Sequence, residues 1–197
     1  MPTTIGGTSI LVNGISAPLF AVSPQQINFQ IPWEAQGQIQ AFIEATANGV
    51  TGNGVAVNLG PFSPGIFSLN QQGSGQGAIL IGGTAIVAAP AGALQNSRPA
   101  RRGEFVTIFC TGLGPVTNPP ATGAAAPTVS PSLTTSQPTI TVGSSPATVS
   151  FSGLAPGFVG LYQVNIQLPQ DAPTGDAVPL ALTIAGATSN PVTLAVQ

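Results

Sequence analysis

One strand-like motif occurs twice in this chain, and it constrains the class of fold more than any other feature. Gln26-Ile27-Asn28-Phe29-Gln30-Ile31-Pro32 returns as Gln163-Val164-Asn165-Ile166-Gln167-Leu168-Pro169, an offset of 137 residues. In both copies amides alternate with apolar side chains, so an extended backbone places amides on one face and apolar groups on the other. Proline then ends the strand, because it has no N–H to give to a ladder. The offset continues without a gap: Glu34 falls on Asp171, Gly49 on Gly186, Thr51 on Thr188, Asn53 on Asn190 and Val55 on Val192. Upstream, Ala17-Pro18-Leu19-Phe20 matches Ala155-Pro156-Gly157-Phe158 after a one-residue adjustment. So long a period denotes two copies of a domain, not a short-repeat solenoid.

The rest of the chain also reads as strands. It carries 25 glycines and 20 prolines, and no window sustains apolar residues at helical spacing. Asn13-Gly14, Asn48-Gly49 and Asn53-Gly54 mark tight turns, since both residue types accept positive φ; Asp171 to Asp176 is a further turn. Gly77 to Leu94 is uncharged and long enough to cross a membrane, but Gly82-Gly83 between Ala78-Ile79-Leu80-Ile81 and Thr84-Ala85-Ile86-Val87 reads as a hairpin with a two-residue turn. After each copy of the motif come Ala41 to Thr46 or Val178 to Ile184, a glycine turn, and a final strand, Val55 to Asn58 or Val192 to Val196. This is the second half of an immunoglobulin-like sandwich. The expected fold is therefore all-β, with tandem immunoglobulin-like β-sandwiches over residues 1–60 and 61–197.

The two copies differ in what precedes them. Ahead of the second motif lie Pro64 to Leu69, the Gly82-Gly83 hairpin, Gly103 to Gly114 and Thr139 to Val142; ahead of the first lies only Thr4 to Asn13. The first sandwich is expected to lack its opening strands, leaving an unpaired edge. Ile10, Val12, Ile27 and Phe29 are the candidate edge for strand addition. Ala88 to Gly103, with all three arginines, and the uncharged Pro115 to Pro138 read as loops. The second is either a surface loop or an arm that donates a strand.

Charge narrows the functional classes. Three arginines face five acids, with no Lys and no His, and no charge occurs from Phe105 to Gln170. That leaves nothing to displace counterions from nucleic acid and no polybasic membrane contact. Weak intermolecular repulsion favours self-association or a tethered, surface life. A Ser or Cys triad needs a general base that is missing here, and one Cys without His cannot hold zinc. Lone Cys110, in an apolar run, reads as a buried small hydrophobe. Glu34 and Asp171 are the one plausible glycosidase pair, each two residues after a strand-ending proline where an acid commonly solvates a turn. Trp33 and Tyr162 are the aromatic candidates for a carbohydrate contact. No cofactor is implied.

At several of these motifs the chain resembles a family of uncharacterised C-terminal domains of large secreted acidobacterial proteins, of the kind first noted in Solibacter. The segments that carry the resemblance are Ala17 to Phe20, Ser23 to Glu34, Gly75-Gln76-Gly77, Thr111 to Pro115 and Gly153 to Asn165. The resemblance implies an extracellular pair of β-sandwiches without established activity. It also implies strands ahead of the segment resembling Pro2 to Gly7. With the reading of the residues, it gives the expectation of a non-catalytic extracellular or cell-surface structural or adhesion module. Its partner would be itself or a neighbouring domain of its parent polypeptide. A carbohydrate-binding module for a polysaccharide is the alternative, and a carboxylate-dependent hydrolase a weaker one.

Overall fold

Pairs of left-handed residues cut this chain into strands. Asn13 and Gly14 have φ +50° and +78°, and Asn48 and Gly49 have +50° and +80°. This is the type I′ turn, whose twist matches that of the strands it joins. The computed structural model describes all 197 residues. They form an all-β protein, with one 3-10 turn over Trp33–Ala35.

Two units result, and neither is one continuous stretch of chain. The first combines Met1–Pro61 with Asn118–Ser132 and Ala155–Gly160; the second combines Phe62–Thr117, Leu133–Leu154 and Leu161–Gln197. The first unit's opening segment ends at Pro61, and two segments from the later part of the chain fold with it.

The first unit holds β1 (Thr4–Ile5), β2 (Thr8–Val12), β3 (Ile15–Ser16), β4 (Leu19–Val22), β5 (Ile27–Phe29), β6 (Gln40–Ala47), β7 (Val50–Thr51) and β8 (Val55–Asn58). β6 pairs with β2 on one side and with β7 and β8 on the other, while β1 and β3 pair with the far side of β2. β4 and β5 form a separate two-stranded sheet. Buried Ile10, Val12, Ala17, Leu19 and Ala41 make the core, with Ile27, Phe29 and Ile43 packed against it.

The second unit holds β9 (Gly65–Ile66), β10 (Ile79–Ile81), β11 (Val87–Ala88), β12 (Ser97–Arg98), β13 (Phe105–Thr111), β14 (Thr139–Val142), β15 (Ser145–Leu154), β16 (Tyr162–Gln167), β17 (Gly175–Ile184), β18 (Ala187–Thr188) and β19 (Val192–Val196). They form one curled sheet in the order β12-β11-β10-β13-β16-β15-β14-β17-β18, with β9 on β13 and β19 on β17. β15 pairs with β14 over Ser145 to Ala147 and with β16 from Thr148 onward, with a bulge between Val149 and Phe151, carrying the chain from one half of the sheet to the other. The curl brings β10 close to β19, since a Cβ at Gly77 would meet Ile79 and Val192 at 2.9 Å.

The repeat holds at the level of individual pairs. Ile10 opposes Ala45 as Ile140 opposes Leu182, and Val12 opposes Ile43 as Val142 opposes Leu180. Phe42 opposes Ala56 as Pro179 opposes Thr193. Even the Thr46–Thr51 hydroxyl bond, 2.9 Å, recurs as Thr183–Thr188 at 3.1 Å. These pairs correct the upstream alignment: Val12 matches Val142 and Leu19 matches Val149, an offset of 130, so Ala17-Pro18 does not correspond to Ala155-Pro156. Both copies bulge at the same place, beside Phe20 and Ser150. Pro18 splits into β3 and β4 what is the single strand β15 in the second copy. The extra residues of the second copy lie in the connection from β15 to β16, which carries Ala155–Gly160.

Two expected turns take other forms. Neither Asn53 nor Gly54 has positive φ; β7 and β8 both pair with β6, so the chain runs on along one side of that strand. Gly54 instead makes room for the Phe42 ring, against which a Cβ would collide. The hairpin from Ile79 to Ala88 forms, but Leu80 pairs with Val87 and Ile81 N–H donates to Ile86 O, so the loop is longer than two residues. Gly82 is not left-handed, and its N–H donates to Phe105 O at 2.8 Å, which continues the bonding between β10 and β13 past Ile81. No helix is long and apolar enough to cross a membrane.

Candidate functional site

The two copies of the repeat allow one surface to be read against its buried counterpart. Val55 and Val57 of β8 oppose Ile43 and Ala41, so their side chains share the face of the sheet that carries the first unit's core. Yet Val55 is 59% and Val57 41% exposed, whereas Val192 and Leu194 at the equivalent places of β19 are 1% and 0% exposed. Every residue of β8 is exposed. The local sequences are alike, so the difference lies in what covers them.

In the second unit the cover is the chain between Phe62 and Gly114. Gln76 forms a parallel bridge with Thr193: Thr193 N–H donates to Gly75 O at 2.7 Å, and Gly77 N–H to Thr193 O at 2.8 Å. Ala100 repeats the pattern further along, donating to Ala195 O and accepting from Gln197 N–H. At the head of the strand the Asn190 amide acts as a clamp. Its Oδ1 accepts from Ile66 N–H at 2.8 Å, while its Nδ2 donates to Ile66 O at 3.0 Å and Gly73 O at 2.7 Å. Gly73, Gly75 and Gly77 are each held by one of these bonds.

The first unit has the same acceptor without the cover. β8 pairs only with β6, leaving the outward N–H and C=O groups of Ala56 and Asn58 without a strand partner, and Asn53, the counterpart of Asn190, is exposed. The same holds at β5. Its counterpart β16 is flanked by β13 and β15, whereas β5 is flanked by β4 alone. A cleft of about 500 Å³ lined by Ile5, Thr8, Val22, Ile27 and Ala47 lies within this unit.

The sequence-derived edge therefore needs correction. Ile27 and Phe29 sit on open strand β5, but Ile10 and Val12 do not lie on an edge. β2 is paired along both sides, and both residues are buried in the core, 3% and 1% exposed. The alternating burial of β2 reports which face meets the core, whereas its neighbours on both sides make it a central strand. Sequence reading missed Asn53, Val55 and Val57, although Val55 was already aligned with Val192; the signal lay in comparing what each copy packs against.

Within the Pro115 to Pro138 arm, Asn118–Ser132 belongs to the first unit and supplies it no strand. Gly123 N–H donates to the buried side chain of Gln30 at 2.9 Å. The Thr122 hydroxyl accepts from Trp33 N–H at 3.0 Å and donates to the Glu34 carboxylate at 2.7 Å. That bond holds the Glu34 carboxyl below the usual carboxylate range. Ala126 exchanges backbone bonds with Phe158 and Gly157. The arm thus secures the end of β5 and the 3-10 turn, and leaves β8 bare. Ala88 to Gly103 is likewise more than loop: it includes β12, and Arg98 meets Glu104 through both terminal guanidinium nitrogens, Nη1 and Nη2. This pairing lowers the Glu104 carboxyl's pKa.

The remaining candidates have specific surroundings. Tyr162 is buried in β16 with its hydroxyl bonded to Gly114 O, so its ring offers no platform to a ligand. Trp33 is half-buried, and its indole N–H is enclosed without a hydrogen-bond partner. The Asp171 backbone carbonyl accepts from the Ser145 hydroxyl. Cys110 is fully buried, and burial pushes its thiol up to about 12, far from a reactive thiolate. No family model, curated protein or solved structure matches this chain.

Proposed function

We propose that this chain is a non-catalytic structural module of the extracellular or cell-surface kind. In this reading its units are two immunoglobulin-like β-sandwiches, and the first associates by accepting strands from a partner. The observation that carries this is the exposure of Val55 and Val57 where the repeat buries Val192 and Leu194. An uncharged open strand is the feature that proteins usually blunt with Lys, Pro or a covering segment, and β8 has none of these. Main-chain hydrogen bonds along such an edge give association without specialised side chains. A chain with only 4% charged residues has little electrostatic repulsion to oppose it.

Sedimentation at several protein concentrations tests the reading. Association that grows with concentration is expected, because an edge without its partner pairs with other edges. A Val55→Asp, Val57→Asp double variant should remain monomeric while keeping its β circular dichroism. A chain that stays monomeric throughout the concentration series, with β8 amides protected from hydrogen exchange, would sink the proposal.

A further inference from the structure

We infer that β8 and Asn53 form an acceptor site for a parallel, uncharged peptide segment with glycine at alternate positions followed by alternating aliphatic residues, carried by a partner polypeptide. This deepens the structural reading above and rests on it. The occupant is identified by the molecule itself. In the second unit the matching edge is filled by Gly73-Ser74-Gly75-Gln76-Gly77 leading into Ala78-Ile79-Leu80-Ile81, with buried Ile79 and Ile81.

Each chemical requirement has a counterpart on the first unit. The outward groups of Ala56 occupy the place of Thr193, whose N–H and C=O bond Gly75 and Gly77. Asn53 occupies the place of Asn190, whose amide meets both backbone groups of Ile66. An amide suits this work because it donates and accepts at once, as a peptide group does. The glycine is a steric requirement: at Gly77 any side chain would be driven into Ile79 and Val192 at 2.9 Å. Val55 stands where Val192 does, so the same position of an incoming segment must also be glycine. Ile79 and Val192 both come within 2.9 Å of the place a Gly77 side chain would take, so an aliphatic residue two places after that glycine is set to reach Val55. Charge matches as well, since neither Asn53 to Leu59 nor Gly73 to Ile81 carries any. A second copy of this chain is a poor donor, because its own Gly75 to Ile81 is already held by its own β19 and β13.

A labelled peptide with the sequence of Pro64 to Ile81 provides the probe, titrated with the full-length chain and followed by fluorescence anisotropy. Saturable one-to-one binding is expected, together with dissolution of any assemblies formed through β8. Val55→Asp should weaken binding at least about tenfold, since a buried carboxylate would face the incoming strand. Asn53→Ala should weaken it several-fold, and a peptide with Val at the position of Gly77 should not bind. Both protein variants alter exposed residues, so circular dichroism and thermal unfolding should match the unaltered chain. Failure to bind at about 1 mM peptide, or binding indifferent to Val55→Asp, overturns the inference. A chain that associates through β8 yet ignores the peptide overturns this inference while leaving the structural reading standing. A chain that does neither overturns both.

Discussion

Ala185 shows how the repeat can be used to test a single residue. It has φ +48° in the turn between β17 and β18, and the equivalent turn residue between β6 and β7 is Asn48, with φ +50°. A left-handed backbone crowds the Cβ of any L-residue, by roughly 1–2 kcal/mol, while Asn recovers part of this through local side-chain hydrogen bonding. Ala185 is exposed, so an Asn there meets no steric obstacle. Ala185→Asn should stabilise the protein by about 0.5–1 kcal/mol, raising Tm by a few degrees in a chain of this size. Thermal unfolding followed by circular dichroism reads it, with Asn48→Ala as the mirrored variant losing a similar amount. No change in either would mean that the turn does not hold its left-handed geometry in solution.

At the scale of elements, strands and their repetition were largely legible, whereas their partners were not. The alternation in Gln26 to Pro32 and Gln163 to Pro169 identified β5 and β16, and Asn13-Gly14 and Asn48-Gly49 turn as their chemistry demands. The dipeptide likeness of Ala17-Pro18 to Ala155-Pro156 misled because local composition says nothing of pairing. The true equivalence of Val12 with Val142 rests on which residue each one opposes. Asn53-Gly54 carries a turn signature but runs straight, because continued pairing with β6 outweighs local preference. Asn190 and Asn53 make the same point energetically. Asn190→Ala would leave Ile66 N–H and two carbonyls without their partners, at a cost of about 1–3 kcal/mol. Asn53→Ala should change stability by less than about 0.5 kcal/mol, as at an ordinary surface position. Chemical denaturation of the two variants separates them, and equal losses would show that Asn53 already has a partner within the chain.

On the scale of the whole molecule, the division of the chain into units is not the division of its sequence into repeats. The first unit draws on Asn118–Ser132 and Ala155–Gly160 as well as on Met1–Pro61. Composition marked Pro115 to Pro138 as a loop, and nothing in a run of Pro, Thr, Ala and Ser announces that Gln30 would accept a hydrogen bond from Gly123. Strand content is distributed just as unevenly, because all the strands that cover β19 lie between residues 62 and 114. Cutting the chain after Pro61 should therefore have unequal consequences. Residues 62–197 retain every strand of the curled sheet and should unfold cooperatively. Residues 1–61 would lose the contacts that Thr122, Gly123 and Gly160 make with Trp33, Glu34 and Gln30, and would still expose β8. A piece that short buries too little apolar surface to offset its chain entropy under these conditions. Circular dichroism and urea titration of the two fragments should show a β spectrum with a sharp transition for 62–197 and a disordered spectrum for 1–61. A cooperative transition in isolated 1–61 would mean that the arm only decorates the first unit, and the role assigned here to Gln30 and Thr122 would have to be given up.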